Sequence, residues 1–170
     1  MEIKTDEAMS LHTTFRTGGP AKYFITVNDA DELKKALSDA ERPFIIGNGS
    51  NLLADDRGFD GTVIRLQGTF TEIKTEGNKI SAGSGALLST AAQAAAEASL
   101  TGMEFSYGIP GTVGGAVFMN AGAFGGEMRD VVEKVTLFDR ETGEITDIPG
   151  EDMGFGYRKS ILKGPDPLEF

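Results

Sequence analysis

A run of aromatic and β-branched residues, KYFITV (22–27), predicts a strand, and the pattern then changes to a helical period. In NDADELKKALSDA the apolar positions Leu33, Ala36, Leu37 and Ala40 fall on one face, and Asp29 and Glu32 stand at capping-box spacing. PFII (43–46) reads as a short buried strand ending at Gly47, which completes a strand–helix–strand unit of α/β type. GTVIRL (61–66) is a further strand. EIKTE (72–76) and KISA (79–82) flank Gly77-Asn78, a hairpin signal. The alanine-rich stretch LLSTAAQAAAEASL (87–100) predicts a helix packed closely on a sheet and stopped at Thr101-Gly102. VEKVTLFD (132–139) and EITDIP (144–149) form a second hairpin around Arg140–Gly143. The expected class is α+β, with α/β-type mixed sheets. A Rossmann unit is disfavoured, because no G-x-G-x-x-G opens the first strand–turn–helix.

Composition narrows the chemistry. The 170 residues suit one domain or a domain with a small satellite, and 39% hydrophobic with 25% charged residues is ordinary for a globular protein. There are no cysteines and one histidine, which excludes disulfides and thiolate metal sites and leaves no basis for a zinc site. The polar, acidic start MEIKTDEAMS and the lack of a long apolar run predict a cytoplasmic protein without a membrane partner. A net charge of −10 disfavours nucleic acid as a partner. It also makes an anionic cofactor awkward, unless backbone amides of a glycine-rich loop hold it.

Glycine supplies 23 of the 170 residues, set among Ile, Leu, Val and Phe rather than in a linker. Three segments stand out. Gly47-Asn48-Gly49-Ser50-Asn51, followed by Leu52, comes directly after a strand and could turn main-chain N–H groups onto diphosphate oxygens. The same five residues alone fit an ordinary tight loop. From Gly108 to Glu127 a longer segment includes Pro110, Gly111, Gly114, Gly115, Ala116, Asn120, Ala121, Gly122 and Ala123. Its small residues could leave bare backbone for a flat polycyclic ligand, or could serve the packing of a helix on a sheet. In Phe155-Gly156-Tyr157-Arg158-Lys159-Ser160, Arg158 is suited to a bidentate grip on a carboxylate, or is a solvated surface charge.

Taken together, TFRTGG (14–19), GNGSN, GxPGTVGGAxxMNAGAxGGE and FGYRKS resemble the UDP-N-acetylenolpyruvoylglucosamine reductases, also called UDP-N-acetylmuramate dehydrogenases. The resemblance runs in order from about residue 11 to about 163. It implies an FAD-binding fold of the vanillyl-alcohol-oxidase/PCMH type, with subdomains at 1–66 and 67–170 holding noncovalent FAD between them. It implies NADPH as reductant and the enolpyruvyl ether of a UDP-sugar as substrate, in peptidoglycan precursor synthesis. By motif, Arg158 would bind the substrate carboxylate and act catalytically, Tyr157 would line the same pocket, with Phe155 and Ser160 as further candidates, and the glycine segments would hold FAD. Family members continue into a C-terminal substrate domain that supplies the proton donor, whereas this sequence ends at Phe170. Catalysis would then need that further part, and the alternative is a non-catalytic FAD- or dinucleotide-binding module. His12, outside any flavin-attachment motif, is expected at the surface.

Overall fold

In the computed structural model, which describes residues 1–163, the first part of the chain forms a four-stranded mixed sheet. Its strands are β1 (Glu2–Ala8), β2 (Pro20–Val27), β3 (Pro43–Ile46) and β4 (Phe59–Leu66), in the order β1-β2-β4-β3. β1 is antiparallel to β2, whereas β4 is parallel to both β2 and β3. Helix α1 (Ala30–Asp39) joins β2 to β3, so the expected strand–helix–strand unit is present. Its two strands are not neighbours, however, because β4 inserts between them.

Local chemistry explains these elements. The Asp29 carboxylate accepts from the Glu32 amide at 2.8 Å, and the Glu32 carboxylate reaches back to the Asn28 amide at 2.8 Å. Capping of this kind stabilises a helix by about 1 kcal/mol. Along β2 and β4 successive residues divide between two apolar layers. Phe24 and Val63 join Met9, Ala21 and Ile46 on one side, and Ile25, Val27 and Ile64 join Leu33 and Ala36 of α1 on the other. Parallel strands buried on both faces need a cover on each. Helix α1 covers the second layer, and the chain between β3 and β4 covers the first with Leu52 and Ala54, together with Phe59 at the start of β4. The loop that follows Gly47 is therefore anchored on the sheet.

The strand β1 was not anticipated. Its sequence EIKTDEA is charged and mostly exposed, as suits an edge strand whose charges oppose further pairing.

The remainder builds a separate core of Leu88, Phe105, Ala116, Val117, Ala121, Met128 and Met153. Around it stand the hairpin β5 (Ile73–Glu76)/β6 (Lys79–Ala82), helices α2 (Leu88–Glu97) and α3 (Val113–Met119), the two-residue pair β7 (Gly122–Ala123)/β8 (Gly126–Glu127), and the hairpin β9 (Lys134–Phe138)/β10 (Ile145–Pro149). Helix α2 stops before the anticipated Thr101-Gly102. The amide of Leu100 bonds the Ala95 carbonyl, that of Ser99 bonds Ala96, and Ser99 takes φ +57. This is a Schellman closure with serine where glycine is usual. Among the described residues no helix is long and apolar enough to cross a membrane.

Candidate functional site

The loop Gly47–Asn51 leaves β3 and turns at Gly49, whose φ is +62. A β-carbon there would overlap the His12 carbonyl oxygen, so both conformation and crowding demand glycine. None of the amides of Asn48, Gly49, Ser50 or Asn51 donates a hydrogen bond to a described residue. Main-chain donors are normally paired when shielded from water. Four successive free N–H groups around a left-handed glycine form a concave donor surface suited to an anion.

The second glycine segment lies directly against this loop. Asn48 Nδ2 donates to the Pro110 carbonyl at 3.1 Å, and a β-carbon placed on Gly111 would have the Ser50 hydroxyl as its nearest neighbour, at 3.9 Å. The two stretches singled out in the sequence therefore lie against each other. A third stretch, outside the three glycine and arginine segments above, joins them. In Gly83-Ser84-Gly85-Ala86-Leu87, the Ser84 carbonyl accepts from Gly114 N at 2.8 Å and that of Ala86 from Val113 N at 2.8 Å, and the Leu88 amide donates to Gly111 O at 2.9 Å. Leu87 and Thr112 form a β-bridge. The signal available was the G-x-G pair following a strand and preceding a helix. No residue of 47–51, 83–88 or 108–116 carries a charge, so binding there relies on backbone and hydroxyl donors.

Within 108–126 the small residues divide into two groups. A β-carbon on Gly108 would meet nothing within 4 Å, and Gly115 is exposed with only the Thr112 hydroxyl near it, at 3.3 Å. Gly108, Gly111 and Gly115 thus present bare backbone to open space. Gly114 packs on Ser84, Ala116 and Ala121 are core residues, and Gly122 is crowded by Gly126 and Glu127. Ala123, at the end of β7, is half-buried beside the turn at Phe124 (φ +53) and Gly125 (φ +89). Asn120 is 2% exposed, and its amide is fully engaged within the chain. Nδ2 donates to Glu127 Oε2 at 2.8 Å and to the Gly156 carbonyl at 3.0 Å, while Oδ1 accepts from the Arg129 amide at 3.0 Å.

Those bonds hold the arm that carries Arg158. Gly156 and Lys159 exchange backbone hydrogen bonds, and Tyr157 and Arg158 form the tip between them. Ser160, buried, donates from its hydroxyl to the Phe118 carbonyl at 2.9 Å, which ties the arm to α3. Phe155 packs against the core around Leu88. Tyr157 is 90% exposed, and the Arg158 guanidinium has no partner among the described residues. Arg158 also takes φ +56, a conformation that costs a non-glycine residue about 1–2 kcal/mol. A strained, unpaired cation on an anchored turn suits the grip of an external anion.

His12 is not a surface residue. Its imidazole lies 4.0 Å from the Phe24 ring, stacked on it, and is bound at both nitrogens, to Glu7 Oε1 at 2.9 Å and to Arg65 Nη2 at 3.0 Å. The hydrogen bond with His12 holds the Glu7 carboxyl below its ordinary range, and burial lowers Arg65.

The chain is 47% identical over 165 residues to UDP-N-acetylenolpyruvoylglucosamine reductase of Clostridioides difficile (strain 630), covering 95% of this chain and 54% of that protein. It is 42% identical to the reductase of the same name from Alkaliphilus metalliredigens (strain QYMF), covering 93% and 53%. It thus spans about half the length of the curated relatives it matches. The crystal structure of UDP-N-acetylenolpyruvylglucosamine reductase from Thermus caldophilus superposes with a TM-score of 0.83 at 42% identity, over 94% of this chain and 57% of that one. The glucose dehydrogenase Phl p 4, 16% identical, shares the fold alone, with a TM-score of 0.52 over 79% of this chain and 30% of that one. The expected PCMH-type FAD-binding fold of mixed α/β sheets is therefore present. Residues 21–149 match the FAD binding domain, and this chain belongs to that family.

Proposed function

We propose that FAD, the cofactor of this family, is held noncovalently with its diphosphate on the Asn48–Asn51 amides and its ring system over the bare backbone at Gly111 and Gly115. The observation that carries the reading is the contact between those two segments, one rich in free donors and the other with bare backbone at Gly111 and Gly115. Leu52, partly buried against the core, fixes the base of the loop. Ala116, Asn120 and Ala121 are buried and would support the ring site from beneath, with Gly122 packed on Gly126 and Glu127 beside them. The halves 1–66 and 67–170 would act as the two FAD-binding subdomains, a reading supported by the distinct cores around the sheet and around Leu88, with Phe70 of the second half packed on the sheet's core; residues 164–170 lie outside the described part.

The activity follows from the relatives named above. Together with the part of those proteins that this chain does not span, it reduces the enolpyruvyl ether of UDP-N-acetylglucosamine to UDP-N-acetylmuramate, with NADPH as reductant. This is a cytoplasmic step of peptidoglycan precursor synthesis. Bound FAD would supply the two-electron redox chemistry. Arg158 would hold the substrate carboxylate, where negative charge builds up in the transition state, and a fixed cation stabilises that charge most. Tyr157 would close the pocket beside it.

A second reading, a non-catalytic FAD-binding module, rests on the match of residues 21–149 to the FAD binding domain, which speaks for cofactor binding alone. The two are separated by NADPH oxidation dependent on the enolpyruvyl substrate, assayed with the FAD-loaded chain. Turnover that disappears in Arg158→Ala supports catalysis. FAD binding without turnover leaves the module.

A further inference from the structure

We propose that His12 is a positioning residue for the Gly47–Asn51 loop, linking the sheet to the donor surface that receives the diphosphate; this rests on the placement of FAD proposed above.

A guanidinium has only donors, so Nδ1 of His12 must offer its lone pair to Arg65. The ring proton is therefore on Nε2 and points at the Glu7 carboxylate. One tautomer is fixed between a cation from β4 and an anion from β1, with Lys4 of β1 bonded to the same Glu7 oxygen at 3.2 Å and the uncharged Phe24 of β2 beneath the ring. The sheet thus grips this side chain from three strands. The backbone of the same residue faces the loop. Its carbonyl oxygen occupies the space that a β-carbon on Gly49 would need, and the Thr14 amide donates to the Gly49 carbonyl at 3.1 Å. Gly49 has no side chain with which to anchor itself. Its left-handed turn and the aim of the neighbouring amides are set by the 12–14 backbone, which the imidazole locks in place.

His12→Phe keeps a ring to stack on Phe24 and removes both polar contacts, whereas His12→Gln restores a donor and an acceptor. The expected result for His12→Phe is FAD affinity weakened on the order of tenfold, as for loss of one charge-assisted hydrogen bond, with the saturated flavin spectrum unchanged. His12→Gln recovers most of that loss. In the FAD-free protein the ¹⁵N–¹H resonances of Gly49–Asn51 shift in His12→Phe, while those of the β9–β10 hairpin stay in place. Should His12→Phe not fold, Arg65→Met removes the donor to Nδ1, along with the guanidinium over the Phe24 ring, keeps His12 itself, and must show the same displacement of resonances. Resonances of Gly49–Asn51 unmoved by either substitution, or affinity unchanged in a folded variant, would overturn the proposal. A wild-type chain that does not bind FAD would refute the proposed function instead, and the loop resonances would still decide the role of His12.

Discussion

Asn48 and Pro110, 62 residues apart, are joined by a hydrogen bond of 3.1 Å from the Asn48 side-chain amide to the Pro110 carbonyl. It is the direct polar tie between the loop of free amides and the bare-backbone segment. Asn48→Ala removes it and should lower stability by about 0.5–1.5 kcal/mol, read in a denaturant titration. Asn48→Asp should weaken FAD binding further than alanine does, since a carboxylate cannot donate to Pro110 and adds negative charge beside a diphosphate.

Gly49 and Gly108 provide a matched pair of glycines. Gly49 has φ +62 and a carbonyl oxygen where a β-carbon would go, whereas nothing lies within 4 Å of such an atom on Gly108. Gly49→Ala combines left-handed strain with a backbone clash and should cost about 3 kcal/mol or more, while Gly108→Ala should leave the folded state within about 0.5 kcal/mol. Thermal melting of the two variants checks the contrast.

Asn120 serves three partners from a buried position. Asn120→Ala leaves the Gly156 carbonyl, the Arg129 amide and the Glu127 carboxylate each short of one partner, and should destabilise the chain by about 2–4 kcal/mol. Because Gly156 begins the arm, trypsin should also cut after Arg158 faster than in the wild type.

Asp55 lies where the chain returns towards β4. Its carboxylate accepts from the Arg57 guanidinium and amide, and these bonds hold its pKa at about 2. A depressed carboxylate stabilises the fold fully above its unfolded value, about 3.9, and loses that contribution as pH falls through the folded value. Stability should therefore decline between about pH 4 and pH 2 by more in the wild type than in Asp55→Asn. Melting temperatures across that window measure the difference.

Much of this was legible from residue order because the signals were local. Strands such as PFII and GTVIRL, the cap at Asp29 and both hairpins depend on neighbours in the chain. β1 was hidden because an edge strand needs no apolar face, and its alternating charges look like solvent-exposed loop. In Gly108–Glu127 the same small residues suit a ligand surface or close packing. Only the fold shows that Gly111 and Gly115 face open space while Gly114, Ala116 and Ala121 are packed. The loop at Gly83-Ser84-Gly85 gained its place from pairing with Val113 and Gly114, some 30 residues downstream. His12 seemed an ordinary polar residue, since Arg65, one of its partners, lies 53 residues away.

The proposed FAD site at these two stretches is tested most directly by titrating the ¹⁵N-labelled chain with FAD while following both its amide resonances and the flavin absorption. Saturable binding with a perturbed flavin spectrum is expected, with resonance changes concentrated at Asn48–Asn51 together with Gly111 and Gly115. A spectrum identical to free FAD at saturating protein, or changes confined to residues outside those two stretches, would contradict it.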